Sequence, residues 1–256
     1  MFEEYRKSTE DGLKIPDEFD ELINEINGKN NEKRDDKTNN NYVEVNLNLF
    51  TIENDKIKIL LLKKKDEPYK NHLVLPSETL KIMEDVSKKI ENIIYFDLKL
   101  DGIYFKQSYF FSNIRTSTNN NSISLSYIGI INIDEFKKSI DKNILYSWFP
   151  IDDLPKIEFD YSKIIKEVQK QLKDILIKST LIKQIFPKTF RISELQDIYE
   201  QLLNEKFDRR NFRKKIVKLN IIEETGEIDE LTNGRPAKLY KFKENIEELN
   251  LSLIHI

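Results

Sequence analysis

Apolar and polar residues alternate after Tyr42: Val43, Val45, Leu47 and Leu49 are apolar, and Glu44, Asn46 and Asn48 between them are polar. A period of two belongs to a strand with one buried face, so a half-buried strand is predicted over 42–53. Residues 57–62 (IKILLL) predict a second strand after a turn at 53–56. The apolar run 72–75 predicts a third, stopped by Pro76. Over 79–94 the period becomes helical, with Ile82, Met83, Val86, Ile90 and Ile93 on one side. Strands are predicted again at 103–111, 122–132 and 145–149, with a short helix at 134–142. Strands broken by isolated helices, without regular βα alternation, imply a mixed α+β domain over 42–160.

The pattern then turns helical. Residues 161–178 place Ile164, Ile165, Val168, Leu172 and Ile175 on one side, and 161–180 reads as a linker helix between two domains. Ser193 and Gln196 have capping-box spacing ahead of a helix over 194–204 that buries Leu195, Ile198, Tyr199 and Leu202. After a break at 204–207, Asp208 is an N-cap candidate for a helix over 209–219 that buries Phe212, Ile216 and Leu219. Strand-like runs at 221–224 and 238–242 flank a glycine-containing loop. Two helices followed by two strands around a loop form the layout of a winged helix-turn-helix, here over 181–244.

The flanks read differently. Residues 16–27 carry Phe19, Leu22, Ile23 and Ile26 at helical spacing, whereas 28–41 has no apolar side chain and reads as a disordered linker within a 1–41 extension. Residues 245–256 form a tail, whose NLSLIHI end is set aside from fold reasoning.

Composition removes whole classes of chemistry. The 256 residues include no Cys, two His and six Gly, and no glycine occurs from 29 to 101. Phosphate-cradling glycine loops, Cys-ligated metals and cysteine nucleophiles are therefore excluded, and no cofactor is called for. No run approaches the ~20 apolar residues of a membrane span, and the first residues do not resemble a signal peptide, so a cytoplasmic chain without a membrane partner is expected. Net charge is −3, but residues 205–218 hold seven Lys or Arg against Glu205 and Asp208, a local excess of +5. Cations on one exposed helix face suit phosphate contacts, and Arg or Asn in its first turns suit base edges in the major groove. The DNA-binding candidates are Arg209, Arg210, Asn211, Arg213, Lys214, Lys215 and Lys218, with Arg235 reaching from the loop.

Residues 186–242 (FPKTFRISELQDIYEQLLNEKFDRRNFRKKIVKLNIIEETG…NGRPAKLYKF) resemble the C-terminal domain of the Nudix-related transcriptional regulators, the NrtR family. The DRRNFRKK run with a downstream GRPAKLYKF carries most of that likeness. WFPIDDLPKIEFD at 148–160, the stretch 49–76, FKQSYFF and SISLSYIGII agree with the family's Nudix-like domain. The resemblance spans 42–243. It implies an α+β chain, a Nudix-like mixed sheet/helix domain followed by a C-terminal winged helix-turn-helix domain. It further implies a bacterial homodimeric regulator, read as a repressor, that binds a double-stranded DNA operator. Its Nudix-like domain would sense a nucleotide effector, ADP-ribose or a relative linked to NAD metabolism.

The catalytic motif of Nudix enzymes, G-x5-E-x7-R-E-U-x-E-E-x-G-U with U apolar, is degenerate here. Leu75-Pro76 runs straight into Ser77-Glu78-Thr79-Leu80 with the glycine loop deleted. Val86-Ser87 stands at R-E, Ile90-Glu91 at E-E and Ile93 at the last glycine. Glu78, Glu84 and Glu91 remain, and Lys88 and Lys89 would repel a metal, so no catalytic residue and no metal ligand is assigned. The alternative reading is a Nudix hydrolase of a nucleoside diphosphate derivative. Gln107 and Arg115 fall where the family's nucleotide contacts cluster, and a guanidinium matches diphosphate geometry. Tyr161 replaces the His that commonly follows EFD in the family.

Overall fold

The computed structural model of the chain describes residues 42–65, 67, 69–81, 83–101, 103–116, 122–179, 181–229 and 236–244. The expected helix 16–27, linker 28–41 and tail 245–256 lie outside them. Seven strands make one mixed sheet: β1 (Tyr42–Glu53), β2 (Lys56–Lys63), β3 (Leu73–Val74), β4 (Ser77–Leu80), β5 (Tyr104–Ile114), β6 (Ser122–Ile130) and β7 (Tyr146–Pro150). The order is β3-β2-β1-β6-β5, with β4 pairing β1 and β7 pairing β2. Asn54 and Asp55 both take positive φ, as a two-residue hairpin between β1 and β2 requires, and Asn and Asp tolerate that region.

β1 is the centre of this sheet. It runs parallel to β6 from Tyr42↔Ser122 to Phe50↔Ile130 and antiparallel to β2 and β4 on its other edge. Residues 43–52 are all buried, so β1 is covered on both faces rather than half-buried as expected. Its polar residues bond one another and their neighbours, although among the described residues Glu44 Oε1 and Asn48 Oδ1 are buried without a hydrogen-bond partner. The Asn46 amide donates to Ser124 Oγ at 2.5 Å, while Asn46 Oδ1 accepts from Ser126 at 2.8 Å and from Asn48 at 3.1 Å.

The predicted helix over 79–94 is shorter and later. Residues 77–80 pair with Val43–Asn46 as β4, because the open edge of β1 offers backbone partners there. Helix α1 (Val86–Glu91) starts only at Asp85, whose carboxylate accepts from the Ser87 and Lys88 N–H groups, and a π-helical turn (Asn92–Asp97) extends it. Met83, assigned to the buried stripe, is 97% exposed at positive φ; Ile82 lies outside the described residues.

Two cores result. On one face Val43, Val45, Leu47 and Leu49 meet α1 and α2 (Ile133–Ser139). On the other, Phe50, Ile52, Ile128 and Ile130 meet α3 (Tyr161–Lys178) through Ile164, Ile165 and Val168. That second core continues without a break through Leu172 and Leu176 into α4 (Ile182–Ile185), α5 (Ile192–Leu203) and α6 (Arg209–Lys218). β8 (Ile222–Asp229) and β9 (Ala237–Phe242) complete the C-terminal unit as an antiparallel pair.

Candidate functional site

The basic helix α6 is built locally from sequence. Asp208 caps it, accepting from the N–H groups of Arg210 at 3.1 Å and Asn211 at 2.9 Å. Phe212 and Ile216 face inward, and the Phe212 ring stacks on Phe207 at 5.9 Å. Arg209, Arg210, Asn211, Arg213, Lys214 and Lys218 are exposed together, whereas Lys215 is half-buried. Arg235 lies outside the described residues. Lys206, part of the local charge excess, pairs with Glu200 instead of standing free.

Glu200 ties α5 to the turn that precedes α6. Its carboxylate accepts from the Phe207 N–H at 3.0 Å and from Gln196 at 2.8 Å, besides the Lys206 ammonium. Burial alone would push this carboxyl up, but those partners outweigh it and hold it at about 2. Asn204 ends α5 in the left-handed conformation, φ +51, so the chain can reverse. The capping arrangement of α5 differs from the Ser193–Gln196 spacing. Glu194 accepts at 2.7 Å from the N–H of Arg191, three residues before it, and Gln196 turns inward to Glu200 and the Phe207 carbonyl.

In the sheet domain, the residues left from a Nudix motif surround a lysine. The Lys89 ammonium lies 2.9 Å from Glu78 and 3.0 Å from Glu84. Those contacts, Glu78 first, raise it above the usual lysine range. Burial, with Glu78 alongside, pushes the neighbouring Asp97 carboxyl up to about 6. Glu91 is exposed at the end of α1. A divalent metal needs several free carboxylate oxygens converging on it; here an ammonium already lies between the two nearest, so these residues do not fit the metal of a Nudix enzyme. Among the described residues no group of three His, Asp or Glu side chains could hold one.

The structure separates the two ligand-binding candidates. Gln107 is half-buried in mid-β5 opposite Tyr127, and Arg115 follows the end of that strand, eight residues on or roughly 27 Å in extended chain. Arg115 belongs to the joint with α3. Its N–H donates to Asp160 Oδ2 at 2.9 Å, its guanidinium lies 3.6 Å from the same oxygen, and Lys163 pairs with Asp160 Oδ1 at 2.9 Å. Burial opposes ionisation of Asp160, yet Arg115 and Lys163 keep it below the usual range. Beside it, Tyr161 donates to the fully buried Glu44 at 2.9 Å. Burial pushes Glu44 up to about 7 against the pull of the Tyr161 and Ser77 hydrogen bonds. A cavity of about 270 Å³ opens between β2, β3 and β4, bordered by Lys63, Lys64, Ser77 and Glu78; neither Gln107 nor Arg115 lines it.

Residues 182–242 match the family model described as the NrtR DNA-binding winged helix domain. The C-terminal unit is an NrtR winged helix domain. Beyond that match, the chain is 22% identical over 202 residues to the ADPR responsive transcriptional repressor NtrR of Acinetobacter baylyi, covering 77% of this chain and 80% of that one. The structure of Shewanella oneidensis NrtR complexed with a 27mer DNA shares the fold, with a TM-score of 0.62 and 21% identity over 78% of this chain and 93% of that one. A MutT/nudix family protein from Enterococcus faecalis does so with a TM-score of 0.54 and 19% identity, over 86% and 98%. The α+β class and the order of Nudix-like domain then NrtR winged helix are thus as expected from sequence.

On this NrtR winged helix the exposed face of α6 offers two kinds of contact. Guanidinium and ammonium groups suit phosphates, while Asn211 and Arg213 suit base edges. Sequence reasoning missed the groups that hold these side chains in place. Tyr240 and Glu224 hold Arg213, and Glu200 holds the turn before α6; their sequence signal is polarity within segments that read as helix or strand.

Proposed function

We propose that this chain is a cytoplasmic, homodimeric transcriptional repressor. The winged helix holds operator DNA, and the Nudix-like domain senses a nucleotide of the ADP-ribose or NAD type without hydrolysing it. The observation that carries the reading is the capped helix α6, with Arg209, Arg210, Asn211, Arg213, Lys214 and Lys218 exposed side by side on a domain of a DNA-binding family. The half-buried Lys215 adds charge beside them, and Arg235 is proposed as a further DNA contact from its sequence alone. The likeness to the Acinetobacter protein, an ADPR responsive repressor, supports both the sign of regulation and the effector class. Lys89 between Glu78 and Glu84 supports sensing without hydrolysis. Gln107 in mid-β5 and Arg115 just past its end are proposed as effector contacts, Arg115 through its link to Asp160 and α3.

The test is selection of bound duplexes from a random pool, with and without ADP-ribose or NAD. An inverted repeat is expected, since a two-fold dimer reads two half-sites about one helical turn apart. Affinity should fall steeply with salt, each lost phosphate contact reducing the log–log slope by ~0.9. Arg210→Ala and Arg213→Ala should weaken binding, and the nucleotide should release it. Binding without preference over random DNA at moderate salt would overturn the reading. Release of AMP from ADP-ribose with Mg²⁺ would return the hydrolase alternative.

A further inference from the structure

Arg213 differs from the other exposed cations of α6 in being tied to the wing. Its Nη2 donates to the Tyr240 hydroxyl at 3.0 Å, across from α6 to β9. That hydroxyl donates in turn to Glu224 Oε1 on β8 at 3.1 Å, and Glu224 Oε2 accepts from Lys238 at 2.7 Å. A phenol has one proton, so donation to Glu224 leaves its lone pair for the guanidinium and fixes the direction of the chain of bonds. Tyr240 is itself anchored on both sides. It is 4% exposed, and its backbone exchanges two 2.8 Å hydrogen bonds with Phe190.

The anchor that meets Arg213 is a neutral hydroxyl, and the nearby carboxylate is already matched by Lys238. Arg213 therefore keeps its charge and most of its N–H donors for a partner while losing rotamer freedom before binding. An arginine ordered in advance loses less on meeting a base edge, and a bidentate contact is useful for discrimination only when its direction is set. Among the described residues of α6, this hydrogen bond to the wing is recorded for Arg213 and not for Arg209, Arg210 or Lys214.

We propose that Tyr240, held by Glu224, is a positioning residue that aims Arg213 at a base edge of the operator, making Arg213 the specificity-determining cation of α6. The inference rests on the DNA-binding reading above. It is tested with the full chain, a duplex selected by that chain from a random pool and a scrambled duplex of equal length. Tyr240→Phe keeps the buried ring and removes only the hydroxyl. It should weaken the selected duplex about 5-fold, the scale of one hydrogen bond, with the scrambled duplex nearly unchanged. The salt slope on the selected duplex should not change, because no phosphate contact is lost. Arg213→Ala should weaken the selected duplex more, and Tyr240→Phe added to Arg213→Ala should do nothing further. A wild-type chain without preference for any duplex sinks the DNA-binding reading and this inference with it. Wild-type preference with Tyr240→Phe neutral, equally harmful on both duplexes, or fully additive with Arg213→Ala overturns the inference alone.

Discussion

Replacing Glu200 by Gln should loosen the helix-turn-helix while leaving its shape nearly intact. In the folded chain this carboxyl falls from 4.5 to about 2, which would correspond to at most ~3 kcal/mol of linked stability. Its strongest partner, Lys206, is 89% exposed, so solvent screening reduces the expected effect to roughly 1–2 kcal/mol. The sign follows from the depressed folded value. The contribution is complete above the unfolded value of 4.5 and disappears as pH falls from there toward 2. Urea unfolding of wild type and Glu200→Gln, measured in parallel from pH 7 to pH 3, reads this directly, since other carboxylates titrate alike in both chains and cancel in the difference. The wild-type advantage should be full at pH 6–7 and shrink below pH 4.5. A difference that stays constant over that range, or that grows in acid, would refute the charge-based account of the clamp.

Two further substitutions test the sheet domain. Glu44 is buried and its folded carboxyl lies above the unfolded value, so wild-type stability should decline as pH rises from 4.5 to about 7. Glu44→Gln should remove that decline and be more stable than wild type at pH 8, by up to ~3 kcal/mol, with the gap closing at pH 5 in thermal melts. Lys89→Met should leave Glu78 and Glu84 without their shared counter-charge and cost ~1–3 kcal/mol at pH 7, checked by urea midpoint; a neutral result would mean the ammonium does not hold the pair together.

The sequence was most readable where local chemistry decides the outcome. The Asp208 cap, the inward Phe212 and Ile216, and the basic outer face of α6 all lie within a few turns of one another, and no distant residue is needed to place them. Reading failed where a distant element supplied the cover. The polar alternation of β1 reads as solvent-facing, because nothing in 42–53 announces that Tyr161 of α3, more than a hundred residues later, will bond Glu44, or that Ser124 and Ser126 of β6 will meet Asn46. Ile82 and Met83 fitted a helical period, but the unpaired edge of β1 recruited 77–80 as a strand and pushed the helix start to Asp85. The Ser193–Gln196 spacing met the capping rule, yet Gln196 is needed inside against Glu200 and Phe207, so Glu194 takes the capping role. For the candidate site, the cations of α6 were legible, whereas the Arg213–Tyr240–Glu224 chain joins three elements whose mutual distances no spacing encodes.

The core that passes unbroken from the sheet through α3 into the winged helix gives that helix the mechanics of a lever. Ile164 and Val168 grip the sheet, and the same apolar cluster takes in the packing of α5 and α6. Gln201 of α5 also bonds the β1–β2 hairpin through the Asp55 carbonyl at 2.5 Å and the Ile57 N–H at 3.4 Å. Over its 18 residues α3 spans ~27 Å, so a tilt of only ~5° at the sheet displaces the far end by ~2 Å. That is comparable to the difference between a formed and a broken hydrogen bond to a base. In the homodimeric repressor proposed above no flexible hinge would be needed: a small change of packing under α3 would turn two recognition helices out of register with one helical turn of DNA.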